Sequence, residues 1–224
     1  MTGITNGGGG DASVLVLECF HGPTLSFKDV GLQMLAQVLD FLLGRRGAVA
    51  NVVVETSGDT GPAAIAGVDG LDNVHLFCLF PRGRCSPVQE LQMTTAAARG
   101  LANVTVYETH GNTDDQAALL QEIFRDAAFR DANNVCAMNS INWVRIAVQA
   151  ACYVYSYLRV IGATAIATSS PDVWPEVHFA VPTGAFGNAF SGYLAKRMGL
   201  PIGHGEGATF GRWKQAGKEG MSCS

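Results

Sequence analysis

Apolar residues recur at helical spacing from Ser26 to about Gly44, with Leu32, Leu35, Leu39 and Leu42 on one face and Met34, Val38 and Phe41 widening it. This pattern predicts a helix covered on most sides. Beyond it, short apolar runs alternate with helical stretches. "NVVVET" precedes a helix from Thr60, "VHLFCLF" one from Ser86, "NVTVYET" one from Asp114, "NVCAMN" a long one from Ile141, and "EVHFAV" one from Asn188 to Met198. Strand followed by helix, five times over, predicts an α/β fold with a parallel sheet and helices on its faces. In such sheets ligands gather where strands end and helices begin, because loop amides and helix N-termini converge there. Low-complexity glycine marks residues 1–17 as a flexible leader. A boundary between two α/β lobes is expected near residues 162–176, and after Ile202 the periodicity stops, leaving residues 203–224 as an irregular tail.

Composition narrows the function class. The 224-residue chain is 48% hydrophobic and 15% charged, with a net charge of −4. It has enough apolar material for a sizeable core and no basic footprint for nucleic acid. Of six cysteines, Cys19, Cys78, Cys136 and Cys152 lie inside apolar runs and no C-x-x-C pair occurs, which favours buried free thiols and a reducing compartment. The start of the chain lacks a basic region before its apolar stretch, so a cytoplasmic location is expected, with export by an unconventional route as the alternative. The apolar segment from residue 141 carries Asn142, Arg145, Gln149 and Arg159, and so reads as a buried amphipathic helix and not as a membrane span. The five histidines are scattered, which argues against a metal site. A G-x-S-x-G elbow is absent as well.

Four stretches carry candidate chemistry. "SFKD" matches a capping box with Ser26 as N-cap and Asp29 at the third helical position. Lys28 then lies in the first turn, where the helix dipole disfavours a cation by about 0.3–1 kcal/mol and favours a neutral, nucleophilic amine. A lysine snorkelling at the surface is the competing reading. "VPTGAFGNAFSG" is a glycine-rich turn feeding a helix, either a phosphate cradle or an ordinary tight turn. In "ETSGDTG", Ser57 and Thr60 with the amides around Gly58 suit a carboxylate, although Asp59 or Thr60 would equally serve as a helix cap. "NSINWVR" sets Arg145 beside Asn139, Ser140 and Asn142, which suits a second phosphate or carboxylate.

Taken together, "HGPTLSFKDVGLQ", "ETSGDTGPAA", "PRGRCSPVQELQMTT", "NSINWVRI" and "PTGAFGN…YLAKRMGLPI" resemble the threonine synthase family in order and spacing, from about Glu18 to Ile202. Pro62 and the overall wording place the chain nearest the vertebrate threonine synthase-like branch. The resemblance implies the pyridoxal-phosphate fold type II, shared with the tryptophan synthase β subunit. One lobe would span residues 18–162, and the start of a second, incomplete lobe residues 163–202. It implies pyridoxal 5'-phosphate as cofactor and Lys28 as the Schiff-base lysine and base. It further assigns Gly184, Ala185, Phe186, Gly187 and Asn188 to the cofactor phosphate. The substrate carboxylate falls to Thr56, Ser57, Gly58, Asp59 and Thr60, and the substrate phosphate to Asn139, Ser140, Asn142 and Arg145. The implied reaction is loss of phosphate from O-phosphohomoserine or O-phosphothreonine to 2-oxobutyrate, ammonia and phosphate. Family members are much longer, and the break after Ile202 suggests a truncated form from an alternative transcript. The competing expectation is therefore a non-catalytic product, acting on a protein partner through an exposed sheet edge, even as a secreted signalling factor.

Overall fold

A computed structural model of the chain describes residues 3–7, 14–138, 142–168, 173–182 and 186–203. The chain divides into two compact units, Met1–Arg145 and Ile146–Ser224. The division falls inside a helix, ahead of the boundary expected at residue 162.

The first unit opens with β1 (Gly3–Gly7) and β2 (Val14–Glu18), paired antiparallel. Ordered pairing thus stands where a flexible leader was expected. Helix α1 (Lys28–Arg46) follows and ends on Gly47 in the left-handed conformation, φ 61°. Next come β3 (Ala50–Glu55), α2 (Thr60–Val68), β4 (Val74–Pro81), α3 (Pro87–Ala98), β5 (Val104–Thr109), α4 (Thr113–Arg125), α5 (Ala127–Ala132) and β6 (Val135–Ala137). The four strands from β3 onward form one sheet, in the order β5-β4-β3-β6, and every pairing is parallel. Along β4 the side chains of Val74, Leu76, Cys78 and Phe80 are buried while His75 is exposed and Phe77 and Leu79 are half-buried. That alternation aims one face of the strand into the core. There Leu32, Leu35 and Ala36 of α1 meet Ala63, Ala64, Ile65 and Val68 of α2, together with Met93 of α3.

Two local expectations are corrected. Of the apolar positions on α1, Phe41 is 62% exposed, Met34 50% and Leu42 45%. The covered stripe, Leu32, Leu35 and Ala36, is the one that joins α2 in the core. The capping residue is also displaced by one: Phe27, in helical conformation, holds the N-cap position, and Ser26 precedes it. Ser26 and Asp29 still act as the expected pair: the Ser26 hydroxyl accepts from the Lys28 amide at 3.2 Å, and the Asp29 carboxylate accepts from the Ser26 amide at 3.4 Å.

Helix α6 (Trp143–Thr168) passes from the first unit into the second and is interrupted at Gly162, φ 78° and ψ 159°. The second unit also contains α7 (Gly187–Arg197). "EVHFAV" does not become a full strand. Among the described residues it contributes a single bridge, Val177 to Ile202. A small core of Ala150, Tyr153, Ala195 and Ile202 holds this unit, with the Phe179 ring packed at a tilt of 59° against Tyr153, 5.0 Å between ring centroids. Among the described residues no helix is long and apolar enough to cross a membrane.

Candidate active site

The strand order reverses between β3 and β6. Chain progress from β3 to β4 to β5 runs one way, and β6 is placed on the far side of β3. The crevice beyond the carboxyl ends of the strands at such a reversal is the usual ligand site of an open α/β sheet. The two loops leaving those ends are the "TSGDT" and "NSINW" stretches, so topology alone singles out the motifs that their polar residues singled out.

The first of these loops is shaped by Thr56, which is buried. Its amide continues the sheet by donating to the Leu79 carbonyl at 2.9 Å. Its hydroxyl accepts from the amides of Gly58 and Gly61 at 3.0 and 3.1 Å and donates to the Gly58 carbonyl at 3.1 Å. One proton and two lone pairs are thereby all engaged. Thr56 consequently sets the shape of the loop, and the exposed Ser57 with Asp59 and Thr60 present its polar groups. At Gly61 any side chain would collide, since a Cβ would lie 2.5 Å from Met93 Sδ and 2.7 Å from Thr56 Cγ2.

Asp59 occupies the N-cap position of α2 yet makes no side-chain capping bond. Its Oδ2 instead receives Lys28 Nζ at 3.3 Å, and its Oδ1 receives Gln89 Nε2. In its place the Thr56 hydroxyl caps the first turn of α2 through the Gly61 amide, and Pro62 brings no N–H, so the Asp59 carboxylate is left to its two side-chain partners. Lys28 is anchored from below by its neighbour. Asp29 is buried and accepts from the Thr24 amide at 2.9 Å and the Thr24 hydroxyl at 2.6 Å. Side-chain exposures of 34% for Lys28 and 41% for Asp59 make this a partly exposed pair.

Lys28 and residues 56–60 line one pocket of about 280 Å³. Glu55, Gln89 and Thr113 complete the lining, and sequence reasoning passed over all three. Gln89 carried a legible signal, because Ser86 and Gln89 stand at capping-box spacing before α3. Ser86 donates its amide and hydroxyl to Gln89 Oε1 at 3.3 and 2.9 Å, and the Gln89 amide returns to the Ser86 hydroxyl at 3.4 Å.

Of the second group, Asn139 and Ser140 lie outside the described residues. Asn142 accepts from the Val144 amide at 3.0 Å, capping the start of α6. Arg145 is only 2% exposed; its Nη1 donates to the Met138 carbonyl at 3.1 Å, while Nε is buried with no hydrogen-bond partner among the described residues. Burial pushes its guanidinium down to about 10. A desolvated cation with an unused donor is a ready partner for an anion.

In the second unit, Gly184 and Ala185 lie outside the described residues. Phe186 takes the left-handed conformation, φ 55°, at the N-cap of α7, with no side-chain cap. Asn188 is held by the Tyr153 hydroxyl, which donates to its carbonyl at 2.9 Å and to Oδ1 at 3.1 Å. Among the described residues no cluster of histidine, cysteine or carboxylate could hold a metal ion, and Cys19, Cys78, Cys85 and Cys136 are present as thiols.

No family model matches the chain. Among curated proteins it is similar to threonine synthase of Schizosaccharomyces pombe, 46% identical over 194 residues that make up 83% of this chain and 36% of that protein. It is likewise similar to mouse threonine synthase-like 2, 43% identical over 84% of this chain and 37% of that protein. The chain therefore spans little more than a third of the curated relatives it matches. Among solved structures, PLP-bound threonine synthase from Brucella melitensis superposes with a TM-score of 0.71 at 49% identity, covering 84% of this chain and 38% of that one. An α/β fold with a parallel sheet and flanking helices is common to both.

Proposed function

We propose that this chain, a homologue of the threonine synthases over most of its length, carries the lysine-bearing part of a pyridoxal 5'-phosphate-dependent phospho-lyase. The reaction is elimination of phosphate from O-phosphohomoserine or O-phosphothreonine, giving 2-oxobutyrate, ammonia and phosphate. The observation that carries this reading is the Lys28 amine in a polar pocket beyond the carboxyl end of β3, paired with Asp59 of the loop that enters α2.

The residues present fit such a cofactor. An accessible primary amine sits in the pocket, and Arg145 Nε is a buried donor lacking a partner among the described residues. When bound, the cofactor supplies an aldehyde for the amine and an electron-withdrawing ring that stabilises negative charge at the adjacent substrate carbon. Lys28 would hold it covalently and, once released by substrate, would move the proton at the α and β carbons. The hydroxyls of Ser57 and Thr60 would donate to the substrate carboxylate, with Thr56 and Gly58 shaping the loop and Asp59 engaged by Lys28 and Gln89. Arg145 and Asn142, with Asn139 and Ser140, would bind the substrate phosphate and favour its departure as an anion. Residues 184–188, at the N-terminus of α7, would hold the cofactor phosphate.

A second reading, action through protein contacts, is favoured by the exposed Met34, Phe41 and Leu42 on α1. Incubation of the purified chain with pyridoxal phosphate, borohydride reduction and peptide mapping separates the two. The phospho-lyase reading expects the pyridoxyl tag on Lys28, its loss in Lys28→Ala, and phosphate release from O-phosphohomoserine. Tags spread evenly over Lys28, Lys196, Lys214 and Lys218, without phosphate release, would overturn it.

A further inference from the structure

Three loops distant in sequence are joined by a line of side chains running Ser86, Gln89, Asp59, Lys28. We propose that Gln89, oriented by Ser86, is a positioning residue for the Lys28 amine and acts on it through Asp59. This inference rests on the reading of Lys28 as the cofactor-bearing lysine.

Chemistry dictates the orientation of the Gln89 amide. The Ser86 backbone N–H can only donate, and it reaches Oε1 at 3.3 Å with the Ser86 hydroxyl beside it at 2.9 Å. The Asp59 carboxylate can only accept, so it faces Nε2. With Oδ1 of Asp59 held in this way, Oδ2 is turned to Lys28 Nζ at 3.3 Å. An ion pair exposed by 34% and 41% on its two sides would contribute little by itself and would leave both side chains free to swing. A third group that pins the carboxylate removes that freedom. Gly58 is part of the same device, because a Cβ there would stand 2.7 Å from Gln89 Oε1 and 2.9 Å from Nε2. Absence of a side chain at 58 lets the α3 terminus close on the loop. The lysine lining the pocket is thereby held by a residue 61 positions away, and the partly exposed contact with Asp59 must break for the amine to react.

Competitive acetylation of the full 224-residue chain without cofactor tests the proposal, with the labelling rate of Lys28 read by peptide mass relative to the exposed Lys196 at one fixed pH. Asp59→Asn is expected to raise the Lys28/Lys196 ratio about two- to fivefold, the range of a partly exposed ion pair. Gln89→Leu raises it in the same direction, and adding Gln89→Leu to Asp59→Asn changes nothing further, because the amide acts only through the carboxylate. Ser86→Thr retains the hydroxyl and the parent ratio, whereas Ser86→Ala raises it. A parental ratio in both Gln89→Leu and Ser86→Ala, or a double variant that shows the two effects multiplied, would overturn the proposal; if Gln89→Leu fails to fold, the ratio in Ser86→Ala alone decides. Absence of a pyridoxyl tag on Lys28 would end the cofactor reading and leave this ratio unaffected, so the two failures are distinguishable.

Discussion

Thr24 binds the Asp29 carboxylate twice, through its backbone amide at 2.9 Å and its hydroxyl at 2.6 Å, and so ties the loop before α1 to the first turn of that helix. The buried carboxylate is the fixed point from which Lys28 projects. Asp29→Ala leaves these donors unmatched in a part-buried site. We expect a loss of about 2–4 kcal/mol of unfolding free energy, checked by urea denaturation followed by circular dichroism. A variant as stable as the parent would show that the loop is held by other contacts.

Gly61→Ala introduces a methyl group 2.5 Å from Met93 Sδ and 2.9 Å from Cys78 Sγ. Overpacking of this kind costs about 1–3 kcal/mol. Because the Gly61 amide also donates to Thr56, the expected outcome is a lower melting temperature together with weaker pyridoxyl labelling of Lys28.

Arg145 makes a different prediction. A buried guanidinium without a matching anion destabilises the chain, so Arg145→Met is expected to be neutral or stabilising by about 1–4 kcal/mol in phosphate-free buffer. Inorganic phosphate should raise the melting temperature of the parent and leave the variant unmoved. Equal shifts in both would argue that phosphate binds elsewhere.

Burial pushes the Cys78 thiol from 9.0 up to about 12. A group whose proton is held more tightly in the folded chain supports folding fully below the unfolded value and loses that support as pH climbs. Stability should therefore fall between about pH 9 and about pH 12, by a few kcal/mol on the order-of-magnitude scale of linkage. Cys78→Ala should flatten that alkaline limb, read by denaturation at stepped pH.

Much of this architecture is written in local pattern. Runs such as Val52–Val54 and the turn residues at 56–61 announce a strand entering a helix, and the lysine in the first turn of α1 stands out as a cation where the dipole disfavours one. Contacts between distant residues are less legible. The Asp59–Gln89 pair spans 30 positions, and nothing near either residue reports the other. The β1–β2 hairpin was hidden because a glycine- and polar-rich start lacks the alternation that marks a half-buried strand. Exposed Phe41 and Leu42 show the converse: helical periodicity gives a face its direction but not the partner that covers it. At "EVHFAV" the composition suits a strand, yet strand length depends on a neighbour to pair with, and among the described residues only Ile202 meets it.

Strand β6 pairs with β3 after a long excursion of the chain: Asn51 Nδ2 donates to the carbonyl of Asn133, 82 positions further on, and Asn134 returns the contact by donating to Val49. Closing so long a loop carries a larger entropic cost than zipping β3 to β4, so the seam between β3 and β6 is expected to be the last of the sheet to form and the first to open. The same seam lies between the strands that lead into the "TSGDT" and "NSINW" stretches. An anion gripped by both would act as a rivet across the slowest joint of the molecule, coupling occupancy of the crevice to the lifetime of the native sheet.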